Sequence, residues 1–101
     1  MNDPPLAHKK SYLTADLVLR YLITDDEALN TLVFCNPEGD EVVTTDQNLY
    51  EALAAIQPYD NFKLNKLTKL FETATIQSAP KQILTHERVE QLRELALKTR
   101  R

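Results

Sequence analysis

Apolar residues are densest near the start of the chain. Between residues 16 and 23 they fall on every side of a helix, a pattern typical of a helix that is buried all round. Residues 10–13 form a short candidate strand immediately before it. We therefore expect a strand that leads directly into a central buried helix.

Polar residues mark the start of a second helix. The tetrapeptide TDDE, residues 24–27, has the form of a capping box. In that motif Thr24 accepts a hydrogen bond from the amide of Glu27, whose side chain reaches back to the amide of Thr24. The helix is expected to end near Asn36, because Pro37 cannot continue it.

The rest of the chain alternates between strand and helix patterns. The β-branched run DEVVTT, residues 40–45, is the clearest strand, and the run TATIQSA, residues 73–79, is a shorter one. Helices are predicted over residues 46–57, 62–72 and 86–101. Strands that alternate with helices indicate parallel pairing. The predicted fold class is therefore α/β, a small parallel sheet of about three strands with helices packed around it.

The last two helices have apolar faces that predict core residues. From the helix over residues 62–72, the side chains expected to point inward are Leu64, Leu67, Leu70 and Phe71. From the last helix, which Thr85 is expected to cap, they are Val89, Leu92 and Ala96. Residues 1–9 are expected to be disordered, since they are polar and contain two prolines. Residues 10–101 are expected to form a single domain.

Composition narrows the class of protein. No apolar run approaches the ~20 residues that a membrane-spanning helix needs, and the polar N-terminus is unlike a secretory signal. The single cysteine, Cys35, cannot form an internal disulfide, which suits a reducing compartment. The expected protein is cytoplasmic and makes no contact with a membrane.

Charge is distributed unevenly along the chain. The net charge is −3, but residues 1–61 carry three basic and eleven acidic side chains, whereas residues 62–101 carry nine basic and four acidic ones. Such asymmetry suits an acidic metal-binding centre beside a basic nucleic-acid surface. It suits equally an attraction between the two halves, or between two copies of the chain.

The order of these motifs resembles the PIN domain, a family of magnesium- or manganese-dependent ribonucleases that includes toxin-type members. The segment YLTADLVLRYL, residues 12–22, resembles the opening motif of that family, YLDTNVLLRYL. The segment VVTTDQNLYEALAAI, residues 42–56, resembles its strand and glutamate-bearing helix, with Glu51 at the glutamate position. The resemblance runs from about residue 11 to residue 101.

The chain departs from the family pattern in two ways. Thr14 stands where the family has its leading aspartate, although Asp16 matches the third letter of the DTD variant of the motif. The family also continues beyond the position of Arg101, with a segment like DALHLA and a strand that ends in another acid. The resemblance therefore implies a shortened PIN-like domain that lacks part of its acidic site, with strand one left at a sheet edge.

Asp16 and Glu51 are the candidate catalytic residues and metal ligands that the resemblance implies, with Mg²⁺ or Mn²⁺ as a weakly bound cofactor. Two carboxylates alone make a poor hydrolytic centre, because phosphodiester cleavage needs a firmly held metal. Asp16 is explained equally well as an acid in the first turn of a helix. Glu51 is either exposed to solvent or turned towards the end of strand one.

Three lysines recur at every third position along the helix over residues 62–72. Lys63, Lys66 and Lys69 are candidate RNA-binding residues, because a basic stripe can contact phosphates. A solvated helix face gives the same pattern.

Three functions remain open on the sequence alone. The first is a degenerate PIN-like domain without nuclease activity of its own, which binds RNA or pairs as a homodimer or with a protein partner through an exposed strand edge. The second is a metal-dependent ribonuclease completed by a partner or a second subunit. The third is a small antitoxin-like or adaptor domain, which strands that are not parallel, with Asp16 and Glu51 far apart, would favour.

Overall fold

A computed structural model describes residues 10–36 and 39–98. Three short strands alternate with helices along these residues. The elements are, in chain order, β1 (Lys10–Tyr12), α1 (Ala15–Ile23), α2 (Glu27–Asn30), a π-helical turn (Thr31–Cys35), β2 (Glu41–Thr45), α3 (Asp46–Ala54), α4 (Leu64–Thr73), β3 (Thr75–Gln77) and α5 (His86–Leu97). The predicted disorder of residues 1–9 lies outside the described residues.

The three strands form one parallel sheet in the order β1-β2-β3. Ser11 pairs with Val42, and Thr44 pairs with Ile76. The predicted α/β class with a small parallel sheet is confirmed, and β1 lies at a sheet edge as expected.

Helix α1 forms the centre of the core, as its apolar sequence predicted. Val18, Leu19, Tyr21 and Leu22 are fully buried, and α1 packs against both α3 and α5. The predicted apolar stripe of α5 is also confirmed, because Leu92 is fully buried against this core. Within residues 10–36 and 39–98, no helix has the length and apolar character needed to cross a membrane.

The two faces of the sheet differ in their exposure. The strand register puts on one common face a set of side chains that are exposed on β1, on β3 and at the start of β2, and buried at the middle and end of β2: Lys10, Tyr12, Glu41, Val43, Thr45, Thr75 and Gln77. The opposite face contributes Val42 and Ile76 to the core under the helices. Parallel sheets normally have both faces covered, and here this face is covered at the end of β2 but open on β1 and β3.

Helix α4 is rotated about its axis relative to the prediction. Leu64 and Phe71 were expected to point inward, but their side chains are 67% and 51% exposed. Leu70 is buried as predicted and Leu67 is partly buried, but Lys66, which was not expected inside, is buried as well. The prediction is wrong for Leu64 and Phe71 because a buried polar contact of Lys66, described below, fixes which face of α4 meets the core.

The predicted capping box at Thr24 is wrong. The Thr24 hydroxyl donates to the carbonyl of Arg20 at 2.6 Å and so belongs to the end of α1. Asp26 caps α2 instead, since its carboxylate accepts from the amide of Leu29 at 3.0 Å. The helical segment does end near Asn36, which adopts a left-handed conformation with φ of 41°.

Candidate functional site

The candidate site lies where β1 and β2 end. Parallel strands have their carboxyl ends at the same edge of a sheet, and ligands of open α/β sheets bind beyond that edge. Here β1 leads through Thr14 into α1, and β2 leads into α3 at Asp46. The side chain of Thr44 ties the two strands together, because its hydroxyl donates to the carbonyl of Leu13 at 2.7 Å.

Asp16 lies in the first turn of α1, where a carboxylate is favoured by the helix dipole. Its Oδ1 accepts a hydrogen bond of 2.7 Å from the hydroxyl of Thr14. Thr14 holds the N-cap position of α1 but makes no capping bond with its side chain. Thus the residue at the position of the family's leading acid acts as a hydrogen-bond donor to Asp16.

Glu51 is buried, so the expectation that it is exposed to solvent is wrong. Its Oε1 is 3.2 Å from both Nε and Nη2 of Arg88 on α5. Its Oε2 accepts a hydrogen bond of 2.9 Å from the side-chain amide of Gln47, one turn earlier on α3. Both carboxylate oxygens therefore have a partner, and the negative charge has a guanidinium beside it.

The structure gives Asp16 and Glu51 different partners. Asp16 is bonded to Thr14, whereas Glu51 is bonded to Arg88 and Gln47. Within the described part of the chain, no group of three or more His, Cys, Asp or Glu side chains is placed to hold a metal ion. A divalent cation at Glu51 would have to compete with the guanidinium of Arg88.

Helix α3 also anchors the chain between β3 and α5. The carboxylate of Asp46 accepts from the amide of Ala79 at 3.0 Å and from the ammonium of Lys81 at 3.2 Å. These hydrogen bonds, that from Lys81 above all, lower the pKa of Asp46. The side chain of Gln47 bonds to the backbone of Gln82 through both its amide nitrogen and its oxygen. The polar groups at this edge of the sheet thus bind the protein's own backbone.

A cavity of about 270 Å³ lies beside α1. Its polar lining includes Asp16, Arg20, Asp26 and Lys98. Arg20 donates to Asp26 at 2.6 Å and to the carbonyl of Ala96 at 2.7 Å. The bond from Arg20 holds the pKa of Asp26 below its usual value. Arg20 therefore joins α2 to α5, and its guanidinium already has hydrogen-bond partners within the protein.

The predicted stripe of three lysines is wrong for Lys66. Its ammonium is buried and donates to the carbonyls of Tyr21 at 3.0 Å and Thr24 at 2.7 Å. Nζ of Lys69 lies 3.9 Å from Oε1 of Glu72, which is three residues further along α4. Of the three, Lys63 is the one fully on the surface.

Arg88 and Gln47 are the residues of this region that sequence reasoning missed. Gln47 and Glu51 are four positions apart, a spacing that brings side chains together on a helix and was a usable signal. Arg88 is 37 positions from Glu51, and no local pattern connects the two.

Comparison with known protein families, with curated protein sequences and with solved structures finds no match. The likeness to PIN domains accordingly rests on the motifs around Asp16 and Glu51 and on the order of the elements.

Proposed function

We propose that this chain is a PIN-like α/β domain that has no hydrolytic activity of its own and acts by binding another protein chain. The observation that carries the proposal is the environment of Glu51. The carboxylate that the resemblance assigns to the metal is buried, bonded to Arg88 and bonded to Gln47.

The chemistry of phosphodiester cleavage supports this interpretation. A hydrolytic metal must activate water and neutralise charge on the phosphate, and magnesium is usually held by carboxylate oxygens together with substrate phosphate. Thr14 brings no charge to that position, and Glu51 already has a cation beside it. Separating Arg88 from the buried carboxylate of Glu51 costs free energy, and the binding of a weakly held metal does not compensate for that cost.

Binding to protein is favoured over binding to RNA. A basic stripe on α4 would need Lys66, whose ammonium is taken up by the end of α1. Within residues 10–36 and 39–98, in contrast, the sheet has two edges, because β1 and β3 each pair with β2 alone. Free strand edges carry unpaired backbone groups that recruit another chain.

A ribonuclease assay tests the absence of hydrolysis. The chain, Glu51→Gln and the control Glu94→Gln, which changes an exposed glutamate on α5, are incubated with RNA in Mg²⁺, in Mn²⁺ and in chelator. We expect all three proteins to leave the RNA intact under every condition. Cleavage that needs Mn²⁺, disappears in Glu51→Gln and persists in Glu94→Gln would contradict the proposal and favour the metal-dependent ribonuclease.

Fluorescence anisotropy with labelled RNA tests the preference for protein. We expect no binding at moderate salt concentration. Binding that weakens with salt and is lost in the double variant Lys63→Ala, Lys69→Ala would contradict the preference, since those are the lysines of α4 that reach the surface.

A further inference from the structure

Among the described residues, no strand pairs with the outer edge of β1, whose backbone groups point away from the sheet. The amide of Leu13 donates to the carbonyl of Val43 at 2.8 Å, and Ser11 pairs with Val42. In a parallel ladder, alternate residues direct their N–H and C=O groups towards the same neighbour. Ser11 and Leu13 therefore face β2, and Lys10 and Tyr12 direct theirs to the free edge.

These outward groups are not used elsewhere in the described residues. The hydrogen bonds that residues 10–36 and 39–98 make outside their own helices and strands include none from the backbone of Lys10 or Tyr12. Both residues are exposed. Two N–H and two C=O groups of β1 thus point outward, in the direction where an additional strand could pair with them.

The strand at the other edge of the sheet, β3, has fewer outward-directed backbone groups. Thr44 pairs with Ile76, so the same alternation turns Thr75 and Gln77 towards β2 and leaves Ile76 directed outward. Beyond the strand, the amide of Ala79 is taken by Asp46. A strand added to the sheet could therefore pair with the outward backbone groups of one residue on β3 and of two residues on β1.

We propose that β1 pairs antiparallel with β1 of a second copy about a two-fold axis at Ser11, an inference that rests on the proposed function. In this register Lys10 lies opposite Tyr12 of the second copy. Both residues direct their backbone groups outward, so each pair exchanges two hydrogen bonds and the interface gains four. The two sheets then form one sheet of six strands.

The side chains of β1 favour a second copy of the chain as the partner at this edge. Lys10 and Tyr12 lie on the same exposed face of β1. The two-fold axis brings the ammonium of each copy beside the Tyr12 ring of the other, an attractive cation–π pairing. The two Lys10 side chains are not opposite each other. The segment is thus complementary to itself in its cation–π contacts as well as in hydrogen bonding.

Disulfide trapping tests this register. Residues opposite each other in a pair without mutual hydrogen bonds have Cα atoms about 4.5 Å apart, within the range of roughly 4.4–6.8 Å that a disulfide spans. Ser11→Cys is made in a Cys35→Ser background, because Cys35 is exposed. The control is Thr75→Cys on β3 in the same background, at an exposed edge residue. Under mild oxidation we expect a covalent dimer of the Ser11→Cys variant and a monomeric control.

Sedimentation equilibrium of Lys10→Pro gives a second readout. Proline removes an outward N–H from each copy and leaves the bonds to β2 intact. We expect the dimer dissociation constant to rise about tenfold or more, with an unchanged circular dichroism spectrum. Trapping through Thr75→Cys in place of Ser11→Cys would overturn the proposed register. Sedimentation as a monomer at every concentration would exclude a second copy as the partner, while the ribonuclease assay decides separately whether the domain is hydrolytic.

Discussion

Tyr21 and Lys66 bind each other's backbones. The Tyr21 hydroxyl donates to the carbonyl of Lys66 at 2.7 Å, and the Lys66 ammonium donates to the carbonyl of Tyr21 at 3.0 Å. The ammonium also reaches the carbonyl of Thr24 and lies 5.2 Å from the centre of the Tyr21 ring. A cation at the carboxyl end of a helix complements its dipole. The two residues thereby join α1 to α4 and fix the rotation of α4.

Replacing Lys66 is expected to destabilise the fold. Lys66→Met keeps the length of the side chain but leaves the carbonyls of Tyr21 and Thr24 without their donor. We expect the free energy of unfolding, measured in urea, to fall by about 2–3 kcal/mol. The matched control Lys63→Met, at the exposed residue that immediately precedes α4, should change it by less than about 0.5 kcal/mol. Equal losses in the two variants would contradict the assignment.

Tyr21 should ionise late in an alkaline titration. Burial of its ring raises the pKa of Tyr21 to about 12. Because the folded chain holds this proton more tightly than the unfolded chain, stability should fall as the pH rises beyond about 10. The difference in ultraviolet absorbance between the wild type and Tyr21→Phe should reveal a transition centred near pH 12. A Tyr21 transition well below that pH would mean that the hydroxyl is not buried.

The ion pair between Asp60 and Arg93 should make the unfolding free energy depend on pH in the acidic range. Arg93 donates to Asp60 at 2.7 and 3.0 Å and lowers the pKa of Asp60. The folded pKa lies below the unfolded value of about 3.9, so this stabilisation is present above that pH and is lost as the pH falls through the folded pKa. Asp60→Asn should reduce the difference in unfolding free energy between pH 6 and pH 2.5. An unchanged pH profile would refute the contribution of this pair.

The ion pair between Glu51 and Arg88 should show energetic coupling. Arg88→Gln leaves the buried carboxylate of Glu51 without its cation, and we expect a loss of about 1–2 kcal/mol. In the double variant Glu51→Gln, Arg88→Gln the second change should restore part of that loss, since the unpaired charge is gone. A double-mutant cycle in urea measures the coupling. Strictly additive effects would show that the two side chains do not interact in solution.

Local pattern was sufficient to predict the elements whose surroundings are uniform. Helix α1 is buried along most of its surface and β2 lies in the middle of the sheet, so apolar and β-branched residues alone specified them. The cap of α5 was predicted for a similar reason. Its hydrogen bond, from the amide of Arg88 to the hydroxyl of Thr85, lies within one helical turn.

Contacts between distant segments account for the errors. The exposure of Leu64 and Phe71 follows from Lys66, which is drawn inward by the end of α1, and hydrophobicity alone ranks a lysine as a surface residue. At the candidate site, the sequence pointed to Asp16 and Glu51 but gave no sign that Arg88 would neutralise Glu51. That contact depends on how α5 docks against α3, which no local spacing encodes.

The central claim, that Asp16 and Glu51 do not share a metal site, is tested most directly by amide-resolved NMR of the chain titrated with Mn²⁺. This paramagnetic ion broadens the signals of nearby amides. Because Arg88 holds Glu51 and Thr14 holds Asp16, we predict no focused broadening at residues 14–17 and 50–52. Selective broadening of both segments at low Mn²⁺ concentration would contradict the claim and reveal a common metal site.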